Sequence, residues 1–352
     1  MSLTNADCLK ALTEFFSSQT QIITWGIAST QTPPHAHQLK AWIDRGHHAS
    51  MEYMASRLSE RMEPKNFQPW ANSIVVFAFP YARPLYDFRK KSSDKKYRVA
   101  AYAGTLDYHY SAKNILKAAE HFLKTKLNHS ELEFYGFVDT APVFERDLAS
   151  EAGIGWRGKN CCTLNRSHGS GFHLAGFFLP QVLPTSQPVD DFCGGCTRCL
   201  DQCPTEAFIA PGKLDSNKCI SYWTIEAKSL APQKLRDQFG GWIFGCDICQ
   251  EVCPWNQKSL QEKTEDEIFP QDGIAWLSLL KKGAGFQSRF KSSPLTRAGR
   301  KALLRNVAQA AVNLKDKTVI QKLKEILPDE DDAEVIATIQ YALTQLSSEP
   351  TL

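Results

Sequence analysis

The chain has 352 residues, 43% hydrophobic and 22% charged, with 41 basic against 38 acidic side chains and a formal net charge of +3. This balance excludes an intrinsically disordered chain and, at about 150 residues per domain, implies two or three domains. The outlying count is eleven cysteines, eight of which fall between positions 193 and 253.

The first half reads as mixed helix and strand. Leu9, Leu12, Phe15 and Phe16 have helical spacing and predict a helix over 6–18. A short strand is expected over 22–28, then a helix over 39–54 interrupted near Gly46. The run 73–79 reads as a buried strand closed by Pro80. Ile115, Leu116, Ala119, Phe122 and Leu123 share one face of a helix over 113–127. A strand over 134–138 delivers Asp139 at its C-terminal end, a position that commonly carries function in α/β domains. The apolar run 170–179 is another strand. From about 190 to 256, Gly, Pro and Cys punctuate the chain and no long periodic element appears. Three amphipathic stripes follow: Leu303 to Val312, Val319 to Leu327, and Val335 to Leu343. Asp331 and Glu334 are placed to cap the third. Short connections between stacked amphipathic helices point to a small helical-repeat module.

Residues 1–20 lack the basic, apolar, small-residue order of an export signal. The longest apolar run, 74–79, falls far short of the roughly 20 residues that cross a bilayer. A cytoplasmic chain without a membrane segment is expected. There, so many cysteines imply metal or redox chemistry rather than disulfides.

The cysteine spacing is specific. Cys193-x2-Cys196-x2-Cys199-x3-Cys203-Pro204 is the bacterial ferredoxin pattern for a four-iron cluster. Cys246-x2-Cys249-x3-Cys253-Pro254 repeats its end. Ile243 stands where a symmetric repeat would have a cysteine, which leaves Cys219 to complete the set. In such pairs the last cysteine of each run reaches across to the other cluster. Cys193, Cys196, Cys199 and Cys253 would then hold one cluster. Cys203, Cys219, Cys246 and Cys249 would hold the other. Structural zinc is the competing reading, but it does not need this run twice. Two adjacent clusters make an electron relay, so the downstream chemistry is expected to be a reduction. Cys8, Cys161 and Cys162 read as packing residues.

Taken with the double cluster, several segments resemble the epoxyqueuosine reductase family. They are Arg61-x-Glu63-Pro64, Tyr102-x-Gly104 with Asp107-Tyr108-His109, Val138-Asp139-Thr140-Ala141-Pro142, Glu145-Arg146, Gly158-Lys159-Asn160 and Cys219-Ile220-Ser221-Tyr222-Trp223. Phe244-Gly245-Cys246-Asp247-Ile248-Cys249-Gln250 and Cys253-Pro254-Trp255-Asn256 close the match, in family order over nearly the whole chain. The chain departs from the pattern at His48, where Gly is usual. It departs again over 169–177, where a Gly-Ser-Trp and a later Glu are common.

The resemblance implies an α/β fold with three parts. A nitroreductase-like cobalamin-binding domain would span 1–185, a ferredoxin-like domain with two 4Fe-4S clusters 186–258, and HEAT-like tRNA-binding repeats 259–352. The implied activity is reduction of epoxyqueuosine to queuosine at the tRNA wobble position, the last step of queuosine synthesis, with base-off cobalamin. An external donor such as ferredoxin or flavodoxin and a monomeric enzyme go with it. Asp139 is then the general acid, made competent by burial that raises its pKa; the bland alternative is a helix cap near Pro142. Arg61, Asp139, Tyr108, His109, Asn160, Thr163, Ser170 and Ser221 are the implied cobalamin contacts, with Lys159 beside them. A small-molecule corrinoid reductase such as a reductive dehalogenase would need neither the helical tail nor the basic surface, and a plain electron-transfer protein would not need the 192 residues ahead of Cys193.

Basic surface is the separate signal for RNA. Lys281, Lys282, Arg289, Lys291, Arg297, Arg300, Lys301 and Arg305 follow one another without an acidic residue between 281 and 305. A second basic stretch holds Arg89, Lys90, Lys91, Lys95, Lys96 and Arg98, with Tyr97, Tyr108 and Phe290 available to stack on bases. The bland reading of both stretches is a solvated face.

Overall fold

The computed structural model describes residues 4–81, 97–104, 106–257 and 269–348. Its first elements are helix α1 (Asn5–Ser17) and strands β1 (Thr24–Ala28) and β2 (Ser73–Pro80). Helix α2 (Tyr108–Lys126), strand β3 (Tyr135–Phe137), helix α3 (Glu145–Glu151) and strand β4 (Phe172–Leu179) follow. The strands form one four-stranded sheet in the order β1-β2-β4-β3, antiparallel throughout.

Both faces of this sheet are covered. Val75, Phe77 and Phe79 of β2 pack with α1 and α2, while Ile74, Val76 and Ala78 pack with α3. A central strand buried on both sides has no polar alternation, which is why 73–79 reads as a continuous apolar run. Gly176 lies where β4 is crossed: a Cβ there would meet the Val75 carbonyl at 2.4 Å and the Phe137 ring at 2.5 Å. Helix α2 begins five residues before the expected 113, because the Asp107 side chain accepts the His109 N–H and caps it. The helix expected over 39–54 is instead Ala36–Asp44 and the short turn Glu52–Ala55, broken at Gly46 with φ +69°.

The cysteine segment holds no long periodic element, as expected; its helices and strands are all short, from Arg198–Asp201 and Ile220–Ile225 to strand β5 (Trp242–Phe244). Strand β5 pairs in parallel with Arg98–Val99. The C-terminal part holds α4 (Gly273–Leu280), α5 (Gly299–Leu314), α6 (Ile320–Ile326) and α7 (Ala333–Ser348). The last three match the three stripes. Asp332, not Asp331, caps α7 by accepting the N–H groups of Glu334 and Val335.

One core joins these helices to the rest. Tyr97, Val99, Ala103, Ile243 and Phe244 are buried with Trp276, Leu304, Val307 and Ile339. Within it Asn306 donates to the carbonyls of Thr224 and Ile243. Among the described residues, no helix is long and apolar enough to cross a membrane.

Candidate active site

β3 ends at Phe137, and two residues later Asp139 turns the chain with φ +55°. This left-handed geometry is unfavourable for most residues and least so for Asp and Asn. Glu145, the first residue of α3, fixes it by accepting the Asp139 N–H on Oε1 at 2.6 Å. The capping alternative for Asp139 fails: α3 has no side-chain cap.

Asp139 borders a cavity of about 870 Å3, whose walls come from the sheet domain, the cysteine segment and the C-terminal part. Its carboxylate is 57% exposed to this space, so the expected burial is absent. The neighbouring Glu145 is pushed up to about 8 by desolvation and then by the charge of Asp139. Glu145 belongs, with Arg146, to the segments that resemble the family, but the resemblance assigns it no role.

The Asp107-Tyr108-His109 cluster forms the next wall. Asp107 Oδ1 and His109 Nδ1 are 2.6 Å apart, and His109 Nε2 stands 3.7 Å from Asp139 Oδ2. The Tyr108 ring stacks between His109 at 4.4 Å and His173 at 4.3 Å between centroids. Burial, then the Asp139 carboxylate, raises the Tyr108 hydroxyl far above its ordinary pKa. Burial pushes His173 down to about 3, so its imidazole is neutral. His173 projects from β4 within the stretch that departs from the family pattern.

Arg61, Thr163, Ser170 and Ser221 also line the cavity. Arg61 is 8% exposed and donates to the carbonyls of Ala141 and Tyr53. Among the described residues, three buried polar atoms on these walls have no hydrogen-bond partner: Arg61 Nε, His109 Nε2 and Thr163 Oγ1. Unpaired buried polar atoms are costly, and three on one cavity mark a place built for a polar ligand. Lys159 and Asn160 are elsewhere. Lys159 donates to the carbonyls of Gly194 and Cys196, and Asn160 to that of Cys249, so both brace the cysteine loops rather than the cavity.

The eight motif cysteines gather into two sets. Burial raises the Cys199 thiol to about 11, and Cys253, Cys193 and Cys196 add to the shift. Burial also raises Cys253, with Cys193 and Cys196 as its thiol neighbours. Cys219 is raised by burial and then by Cys203, Cys246 by burial and then by Cys219. Cys249, also raised by burial, faces Cys246 and Cys219. The donor chemistry, four thiols per set, fits four-iron clusters. N–H groups point at these sulfurs, among them those of Trp156 toward Cys193 and Ala207 toward Cys203, both at 3.4 Å. Cys162, read as a packing residue, lies on the cavity wall and electrostatically senses Cys253, while Cys249 senses it.

The basic residues divide. Arg305 is 5% exposed, donating to Glu334 and to the carbonyls of Ala227 and Lys228, so it is structural and not free for a phosphate. Arg300 forks onto the buried Glu330. Lys282 and Lys301 pair with Asp331, and Arg297 with Glu226. Lys281, Arg289 and Lys291 are exposed and make no ion pair among the described residues. Arg89, Lys90, Lys91, Lys95 and Lys96 lie outside the described residues.

An antiparallel α/β domain joined to two four-thiol sets beside a large polar cavity defines an iron–sulfur oxidoreductase. The family model described as "4Fe-4S double cluster binding domain" matches residues 192–256. That described as "Epoxyqueuosine reductase QueG, DUF1730" matches residues 61–140. The epoxyqueuosine reductase of Cyclobacterium marinum is 39% identical over 80% of this chain and 90% of its own. That of Escherichia coli strain K12 is 35% identical over 85% of this chain and 80% of its own. The solved epoxyqueuosine reductase of Streptococcus thermophilus superposes with a TM-score of 0.81 at 27% identity, covering 98% of this chain and 91% of that one. An epoxyqueuosine reductase solved with a tRNA-Tyr epoxyqueuosine-modified stem loop gives 0.78 at 26% identity, over 97% and 98%. The chain belongs to the epoxyqueuosine reductase family.

Proposed function

We propose that this chain reduces epoxyqueuosine to queuosine at the wobble position of tRNA, in the cytoplasm and as a monomer, with electrons from a ferredoxin or flavodoxin. The observation that carries this reading is the placement of one cavity: Asp139 on one wall, and Cys162, neighbour of Cys249 and Cys253, on another. Removing the epoxide oxygen consumes two electrons and two protons and releases water. Two 4Fe-4S clusters would supply electrons singly, and a base-off cobalamin in the cavity would deliver them to the substrate.

The protein residues bind and move protons. Cys193, Cys196, Cys199 and Cys253 would ligate one cluster, and Cys203, Cys219, Cys246 and Cys249 the other. Arg61, Thr163, Ser170 and Ser221 are positioned to contact the corrinoid, and the orphaned Arg61 Nε and Thr163 Oγ1 support a polar ligand there. Asp139, open to the cavity, would protonate the departing oxygen. His109 and Tyr108 flank its carboxyl and would hold the proton there. The three-part division, a nitroreductase-like domain, a cluster domain and HEAT-like repeats, belongs to the same reading. A likeness supports the Asp139 role: the Bacillus subtilis epoxyqueuosine reductase, 25% identical with a TM-score of 0.76, was solved with an aspartate catalytic loop swung out of its active site.

The test is anaerobic incubation of the reconstituted protein with tRNA bearing epoxyqueuosine, followed by mass spectrometry of the nucleosides. Loss of one oxygen from the modified base is expected. Unchanged nucleoside with intact clusters and bound corrinoid would sink the reading.

A further inference from the structure

We propose that Tyr53 is a stacking platform for the unpaired base next to the target nucleotide, held in place by the Arg297–Glu226 ion pair. The inference rests on the reading that the cavity receives a tRNA nucleotide. Tyr53 sits in Glu52–Ala55, a single helical turn with no buried residue. Its ring borders the cavity, yet it is 44% exposed. So large an aromatic surface left in water on a short turn has no packing role of its own.

The ring is nevertheless fixed. The Arg297 guanidinium lies over it, 5.5 Å from the centroid. Arg297 is itself immobilised, with Nε and Nη2 donating to the two Glu226 oxygens at 3.1 and 3.0 Å. That fork is occupied, so Arg297 serves to orient Tyr53 rather than to grip phosphate. The Tyr53 backbone is tied as well, since its carbonyl accepts from Arg61. Two distant stretches of chain, at Glu226 and Arg297, thus converge on one exposed ring, and Arg61 ties down its backbone. Such preorganisation lowers the ordering cost of binding.

The chemistry of the occupant follows from the cavity. A nucleotide that enters it must leave its stack, and the neighbouring base loses a partner. A rigid aromatic ring at the mouth, with a cation on its far face, replaces that partner for any base. The exposed Lys281, Arg289 and Lys291 belong to the stretch whose Pro294, Thr296 and Arg297 form part of the same wall, so a polyanion is favoured there over a peptide.

The test measures binding of an epoxyqueuosine-bearing anticodon stem-loop to the cofactor-loaded chain by fluorescence anisotropy at fixed salt. Tyr53→Ala should weaken binding about 10-fold, and Tyr53→Phe, which keeps the ring, should stay within about twofold of wild type. Stem-loops lacking the base on one or the other side of the target complete the test. With one of them, wild type and Tyr53→Ala should bind equally. Equal binding of wild type and Tyr53→Ala to the intact loop overturns the inference alone. So does a difference that persists with both abasic loops, or an equal loss in Tyr53→Ala and Tyr53→Phe. A wild-type chain that ignores the stem-loop overturns the parent reading and this inference with it.

Discussion

His109 Nε2 lies 3.7 Å from Asp139 Oδ2, and Asp107 holds the other nitrogen of the same ring at 2.6 Å. The carboxylate on Nδ1 fixes which nitrogen faces Asp139, so the imidazole is oriented toward the carboxyl that, as the proposed proton donor, would need recharging after each turnover. Replacing His109 by Gln keeps size and polarity but removes the titratable ring. Turnover on epoxyqueuosine-bearing tRNA should fall about 100-fold, while stem-loop affinity is retained. Undiminished turnover would remove His109 from the proton route.

Asp139→Asn should lower turnover by roughly 10²- to 10⁴-fold without changing iron content, corrinoid binding or the melting temperature. The side chain is 57% exposed and supports no packing, so a large loss of stability in this variant would assign it a structural role instead.

Glu145 gives a pH signature. Its folded pKa of about 8 lies above the unfolded value near 4.5, so between those limits the folded chain holds the extra proton. Its stabilising contribution is complete below pH 4.5 and is lost as pH rises through about 8. Glu151, raised to about 7 by burial, acts in the same direction. Melting temperature should therefore decline from pH 5 to pH 8, and Glu145→Gln should flatten the decline. Thermal scans across that range decide it.

Cysteine replacement should separate the two thiol sets. Cys219→Ser and Cys253→Ser each remove one ligand from a different set, so each should lose about half of the iron. Cys162→Ser should lose none. Iron analysis and electron paramagnetic resonance of the reduced protein distinguish these outcomes. Full iron in Cys219→Ser would exclude that residue as a ligand.

Arg305 and Lys281 should behave oppositely. Arg305→Ala leaves the carbonyls of Ala227 and Lys228, the first of them buried, and Glu334 without their donor and should cost about 2 kcal/mol or more, with no change in the salt dependence of RNA binding. Lys281→Gln, Arg289→Gln and Lys291→Gln should leave stability alone. Each that touches a phosphate should reduce the slope of log affinity against log salt by about 0.7 to 0.9.

The parts legible in the sequence are those whose cause is local. Strand β2 shows itself because both faces are apolar, and the cysteines because cluster geometry fixes their spacing over a few residues. The polar site is legible only where a motif marks it, as at Asp139 and His109. Glu145, His173 and the Tyr53–Arg297–Glu226 group owe their roles to partners brought close by the fold. Arg297 and Glu226, for instance, are separated by 71 positions. The run of basic residues misleads for the same reason: Arg300 meets Glu330 in the connection before α7 and Arg305 meets Glu334 in α7, 30 and 29 positions on. Charge counted along the chain does not reveal which charges are already paired.

The core shared by Val99, Ile243, Phe244 and the C-terminal helices carries one more consequence. A tail packed in this way cannot be deleted as an appendage, because its removal would strip the apolar cover from β5, which ends two residues before Cys246. It also cannot swing. Under the proposed function, Lys281, Arg289 and Lys291 would then stand at a set distance from Asp139, and the protein would act as a gauge for an anticodon arm of one length.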